Sequence, residues 1–245
     1  MWCACSRRAW AAAAALVVAL LAACVGEGPK TGRARAAMRQ PPASASPTPI
    51  ARRWDLACEG RERLLQALAP RTAEEEALAR AGVQVLCALC AHRWDLVADF
   101  VHPKAGLRFS PDAYLDDGDV WVAASALAGL PRDPAPRVWG VEAGSGRPIV
   151  LSFAAYAARY VYDGPYWEQG QAGLDVRRGP GNTVDNHAQV FPGSRVVEFH
   201  LPGSVTYGGL DWRSLRLVFM PGAALPEGLP GTWCLVAIVH DAWEP

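Results

Sequence analysis

Arg195-Val196-Val197-Glu198-Phe199-His200-Leu201 alternates with a period of two. Val197, Phe199 and Leu201 fall on one side, and Val196, Glu198 and His200 on the other. That is the pattern of a strand with one face against a core. Ser214 to Met220 repeats it, setting Leu215, Leu217 and Phe219 opposite Arg216, Val218 and Met220. Trp233 to His240 is apolar on both faces, as a more deeply buried strand is. Pro202-Gly203 and Pro221-Gly222 punctuate the strand ends. A strand meander therefore closes the chain.

Toward the N-terminus the period changes to that of helices. Trp54, Ala57, Leu64, Leu65 and Leu68 give an interrupted stripe from Trp54 to Ala69, ended by Pro70. Thr72-Ala73-Glu74-Glu75 is a capping box, and Leu78, Val85, Leu86 and Leu89 carry the next helix to about Ala91. A shorter helix is expected from Asp95 to Val101. Leu107 to Phe109 and Val120 to Val122 read as short extended pieces. Arg137 to Val150 reads as a hairpin turning at Ala143-Gly144-Ser145-Gly146. Ser152 caps an aromatic-rich helix through Phe153, Tyr156, Tyr160 and Val161, and Gly164 to Gly193 reads as a long loop. Helices first and strands last predict an α+β domain over residues 54–245, its helices packed on a mainly antiparallel sheet. No internal repeat is present.

The opposite end of the chain concerns location. Arg7 and Arg8 precede an unbroken apolar run from Ala9 to Ala23. Fifteen residues fall short of the roughly 20 needed to cross a bilayer as a helix, so the pattern is that of an export signal over residues 1–23. Leu21-Ala22-Ala23-Cys24 resembles the lipobox of bacterial lipoproteins, which implies acylation at Cys24; an ordinary secretory signal is the alternative. Loss of the signal leaves 222 residues with 22 basic and 24 acidic groups. Residues 25–53 hold six of those basic groups and only one acid, Glu27, among scattered prolines, serines and alanines. Such a stretch buries too little to offset its ordering entropy and reads as an extended tether over 24–53. Its arginines suit an anionic membrane surface, at about 1 kcal/mol each, with a solvated linker carrying incidental arginines as the alternative. From Trp54 onward the balance is 16 basic to 23 acidic, which argues against nucleic acid as a partner. Val25, rather than aspartate, follows the lipidated position, so the outer membrane is favoured if the source has one. The expected location is thus the bacterial cell envelope, with the N-terminal lipid holding the chain to a membrane.

The runs Asp211-Trp212-Arg213-Ser214-Leu215-Arg216-Leu217-Val218-Phe219 and Leu235-Val236-Ala237-Ile238-Val239-His240-Asp241-Ala242-Trp243 together resemble the C-terminal signature of an uncharacterised group of bacterial secreted proteins and lipoproteins. His102-Pro103, Gly106 to Pro111, Trp139-Gly140 and Gly144 to Ile149 resemble its other motifs. The resemblance spans roughly residues 54 to 243 and carries no assigned chemistry. Its layout is similar to the nuclear-transport-factor-like cone, in which helices pack on a curved sheet. That fold hosts enzymes and pure binding domains alike.

Candidate residues are few. Glu198 and Arg216 lie on similarly patterned strands and form a plausible cross-strand pair. With Arg108, Tyr156, Tyr160 and His200 they are candidates to line the mouth of a pocket; the alternative is a surface salt bridge and ordinary core tyrosines. Cys87-Ala88-Leu89-Cys90 has redox-motif spacing but lies near a helix end, where the dipole disfavours a thiolate. A disulfide from Cys58 to Cys87 or Cys90, or separate buried thiols, are the other readings. His92, His102, His187, His200 and His240 show no metal-ligand spacing. His240-Asp241 cannot act as a dyad within a regular strand, because neighbours point to opposite faces. No nucleophile elbow, phosphate loop or zinc-protease motif is present. The dispersed tryptophans fit core packing better than carbohydrate stacking. No metal, cofactor or catalytic residue is predicted. The sequence points to a non-catalytic module binding an envelope ligand or protein, with an extracytoplasmic hydrolase as the alternative.

Overall fold

A computed structural model describes residues 58–181, 183–222 and 233–243. The signal, Cys24, the tether and Trp54 lie outside the described residues.

The described residues open with α1 (Arg61–Leu68), α2 (Ala73–Cys90) and α3 (Trp94–Phe100). The first helix therefore starts later than its apolar stripe implies, after a left-handed Gly60. Thr72 caps α2 as expected, its Oγ1 accepting from the Glu75 N–H at 3.1 Å. Glu75 in return accepts from the Arg71 N–H at 2.7 Å, one residue before the position a capping box uses. Strands β1 (Leu107–Ser110) and β2 (Val120–Val122) follow, then the short α4 (Ala124–Leu127). The hairpin of β3 (Arg137–Val141) and β4 (Pro148–Leu151) turns where the glycines predict. Ser152 caps α5 (Phe153–Tyr160), accepting from the Ala155 N–H at 3.3 Å.

The stretch Gly164–Gly193 is not the plain loop its composition implies. It contains α6 (Tyr166–Gln169), β5 (Gln171–Leu174) and α7 (His187–Val190). Strand β5 has only Ala172 and Leu174 on its core side and a glycine between them, too little alternation to announce itself. It is recruited by pairing with a stronger neighbour. The last three strands are β6 (Arg195–Leu201), β7 (Arg213–Pro221) and β8 (Trp233–Ala242).

The fold is α+β. Six strands form one open sheet in the order β2-β1-β8-β7-β6-β5, antiparallel except where β1 runs parallel to β8. The hairpin β3–β4 stands apart as its own two-stranded sheet. Strand β8 sits between β1 and β7, which explains why both of its faces are apolar. Register places Val197, Phe199, Leu215, Leu217 and Ile238 on one face, where they pack with Leu64, Leu78 and Leu86 of the helices. The reverse face carries Val196, Val218, Ala237 and Val239, covered by Leu115 and Phe191. So the side that the alternation marks as polar is not left to water. The segments around residues 111–119 and 175–192 lie over it.

Cys58 and Cys87 form a disulfide, their Cα atoms 6.3 Å apart. It ties the start of the described chain to the last turn of α2. No helix among the described residues is long and apolar enough to cross a membrane.

Candidate functional site

His240 and Asp241 are neighbours on β8 and serve opposite faces, as strand geometry requires. Each anchors a separate group of polar side chains.

Asp241 belongs to the reverse face. It takes both arms of Arg177, at 2.9 and 3.1 Å. Beside it lies Arg216, which is 4% exposed and bonded to Asp185. Arg216 also faces Glu198 at 3.6 Å and Asp241 at 3.8 Å. Glu198 is fully buried. Its Oε1 accepts from the backbone N–H of Arg178 and Gly179, at 3.0 and 3.2 Å, and from the Ser214 hydroxyl at 2.8 Å. Gly179 is required there, because a Cβ would stand 2.5 Å from the Trp212 ring. His200 Nδ1 meets the same Ser214 hydroxyl at 2.9 Å. Burial holds the His200 imidazole below its ordinary pKa, against the pull of Glu198. Asp185, although burial acts to raise it, is held well below the carboxylate range by hydrogen bonds from His187 and Arg216 and by the Arg216 charge. Two guanidiniums and three carboxylates thus pin the 175–192 segment to the sheet. Removing one partner from such a cluster leaves charge without compensation.

His240 belongs to the helix-bearing face and closes the floor of a cleft of about 590 Å³. Its Nε2 stands 3.3 Å from the Asp163 carboxylate. That carboxylate also accepts from the Tyr166 hydroxyl at 2.6 Å and from Arg213 at 3.2 Å. Burial alone would raise the Asp163 pKa; His240, Tyr166 and Arg213 together outweigh it and lower it. The other imidazole nitrogen, Nδ1, is buried with no hydrogen-bond partner. Tyr160 stands edge-on to the imidazole, ring centres 5.6 Å apart. Behind it the rings continue: Tyr160 stacks on Tyr156 at 5.2 Å, and Tyr156 on Trp139 at 4.4 Å. Arg159 lies over the Tyr160 ring at 5.0 Å. The rim is the β3–β4 turn, where Glu142 pairs with Arg147 at 3.0 Å and with Arg159 at 3.4 Å. Val141, Ile149 and Pro111 complete the wall.

The six residues expected to share one pocket mouth do not meet. Tyr160 lines the cleft, and Tyr156 is buried behind it, where burial and the nearby Asp119 and Tyr160 raise its phenol pKa well above the ordinary value. Glu198, His200 and Arg216 are on the reverse face and buried. The cross-strand register Glu198↔Arg216 is as expected, but the pair is interior rather than at the surface. Arg108 is on that face too, on β1 between β2 and β8, paired with Asp119 at 3.0 Å and stacked over Trp121. Alternation identifies these residues as sharing a face; it carries no sign of the segment that covers them. Sequence reasoning misses Asp163, Arg147, Arg159 and Glu142 altogether. Asp163 sits 77 positions from His240 in a turn-forming Tyr162-Asp163-Gly164-Pro165 stretch without periodicity.

Of the cysteines, Cys87 bonds Cys58 and not its near neighbour Cys90, so the spacing marks no exchange pair. Trp94, Trp139, Trp167, Trp212 and Trp233 are buried, while Trp121 and Trp243 are about half-exposed. Among the described residues, no three His, Cys, Asp or Glu side chains are grouped to hold a metal ion. Comparison of the chain with models of protein families, with curated proteins and with solved structures finds no match.

Proposed function

We propose that this chain is a bacterial envelope lipoprotein, held to a membrane through Cys24, whose folded domain captures a ligand in the cleft above His240 without turning it over. The observation that carries the reading is the cleft itself. Its volume falls within the roughly 300–1,000 Å³ of small-molecule sites, and it combines an apolar wall with a few directed polar groups. On this reading the arginines of residues 24–53 add a second, electrostatic attachment at the membrane surface. The outer membrane is favoured in a cell that has one.

Two readouts on the same full-length protein test the proposal. Radiolabelled palmitate enters the wild-type chain and not Cys24→Ser. In a thermal-shift screen of envelope glycans, metabolites and metals, at least one compound raises Tm of the wild type but not of Arg159→Glu. An unlabelled chain with its leader intact overturns the anchoring; hits that stabilise both proteins equally overturn the site.

A hydrolase is the second reading, and one observation favours it. A carboxylate that fixes a buried imidazole is also how a general base is oriented. On that reading His240→Gln abolishes a turnover that the wild type displays. On the binding reading neither protein turns over any compound it binds.

A further inference from the structure

We infer that the ligand of the cleft is a small organic monocarboxylate with an apolar or aromatic body and a hydrogen-bonding hydroxyl or amide group. The inference rests on the proposed binding role of this cleft and names the chemistry that the cleft selects.

The charge on the rim sets the sign and number. Arg147 and Arg159 carry two positive charges, and Glu142, bonded to both, carries one negative. One positive charge is left over, a match for a monoanion and a poor match for a doubly charged phosphate monoester. Both guanidiniums are largely exposed, Arg147 with 76% and Arg159 with 60% of its side chain accessible, so they reach an entering ligand without unfolding anything. Guanidinium forks bind carboxylates with two parallel hydrogen bonds, which favours a planar acid group over a spherical ion.

The wall and floor set the rest of the molecule. Tyr160, Val141, Ile149 and Pro111 present apolar surface below the rim. The Tyr160 ring is held from behind by Tyr156 and from the side by His240, so it is an ordered platform for an apolar or aromatic body. At the floor, the Asp163 carboxylate beside Nε2 keeps a proton on that nitrogen. Nδ1 is buried, and no group of the protein bonds to it. His240 is only 6% exposed, and an interior polar atom without a partner is unfavourable unless a ligand supplies one. A hydroxyl or amide group on the ligand, able to donate or to accept, answers that requirement.

The test uses carboxylate fragments, each paired with its own primary amide, so that shape is constant and charge is not. N-Acetylphenylalanine and N-acetylphenylalaninamide are one such pair, and inorganic phosphate is an additional arm. Binding to the full-length protein is read by calorimetry at low ionic strength, in the wild type, in Arg147→Met/Arg159→Met and in His240→Phe. The inference expects carboxylates to bind at least 10-fold tighter than their amides, that preference to vanish in the double arginine variant, and His240→Phe to lose the discrimination for acids that carry a hydroxyl or amide group. Amides that bind as well as acids, or phosphate that outcompetes both, overturn the ligand class while leaving a binding cleft in place. Failure of every fragment, charged or neutral, to bind at millimolar concentration overturns the ligand class and the binding role together.

Discussion

Asp119 shows how a single buried group links this fold to pH. It is 7% exposed and bonded to Arg108 at 3.0 Å, yet burial pushes its pKa up to about 6 against the attraction of that guanidinium. In the unfolded chain an aspartate titrates near 3.9. A pKa raised on folding stabilises fully below the unfolded value, and that stabilisation is lost as pH rises through the folded one. The stability advantage of wild type over Asp119→Asn should therefore shrink between pH 4 and pH 6, by up to roughly 3 kcal/mol. Urea unfolding across that range measures it; an advantage that is flat, or that grows with pH, contradicts the assignment. Nothing in Asp116-Asp117-Gly118-Asp119 distinguishes the buried carboxylate from its solvated neighbours. The difference arises from Arg108, placed beside it by the pairing of β1 with β2.

At the scale of elements, the contact of α2 with β6 is set by one glycine. A Cβ at Gly82 would lie 2.7 Å from Val197 Cγ1 and 2.8 Å from its Cβ. Alanine is about 1 kcal/mol better than glycine in a helix interior. Here the clash decides: Gly82→Ala should destabilise by about 1–3 kcal/mol, and adding Val197→Ala should recover part of that loss. A more stable Gly82→Ala would mean the helix stands off the sheet. Elements whose own residues carry the pattern are legible in the sequence. β6, β7, β8, α2 and α5 need only their neighbours at spacing two or four, and their caps and turns lie where serine, threonine and glycine place them. β5 and α7 are not legible, because they take their form from what they pack against. The same distinction governs the polar residues. The Glu198–Arg216 register follows from alternation, whereas Asp163 against His240 follows only from the closure of the whole fold.

On the scale of the molecule, the sheet divides its polar chemistry between two faces, and His240-Asp241 marks the division. On the reverse face Arg216, Glu198, Asp185, Asp241 and Arg177 form one buried cluster of charges, with Glu198 held by the Arg178 and Gly179 N–H groups and by Ser214, and they anchor a covering segment. On the helix-bearing face His240 is left with a ring nitrogen that the protein does not bond, in a cleft that two solvent-exposed arginines also line. We propose that the first group is structural and that the second receives the ligand. The most direct measurement of that claim compares Arg216→Met with Arg159→Glu in the full-length protein, reading unfolding free energy and N-acetylphenylalanine binding in each. Arg216→Met should lose about 3–5 kcal/mol of stability, the penalty for stranding buried carboxylates. Arg159→Glu should unfold within about 0.5 kcal/mol of wild type, as surface changes do, and bind at least 10-fold more weakly. An Arg216→Met protein as stable as wild type, or an Arg159→Glu protein that binds undiminished, would contradict the division.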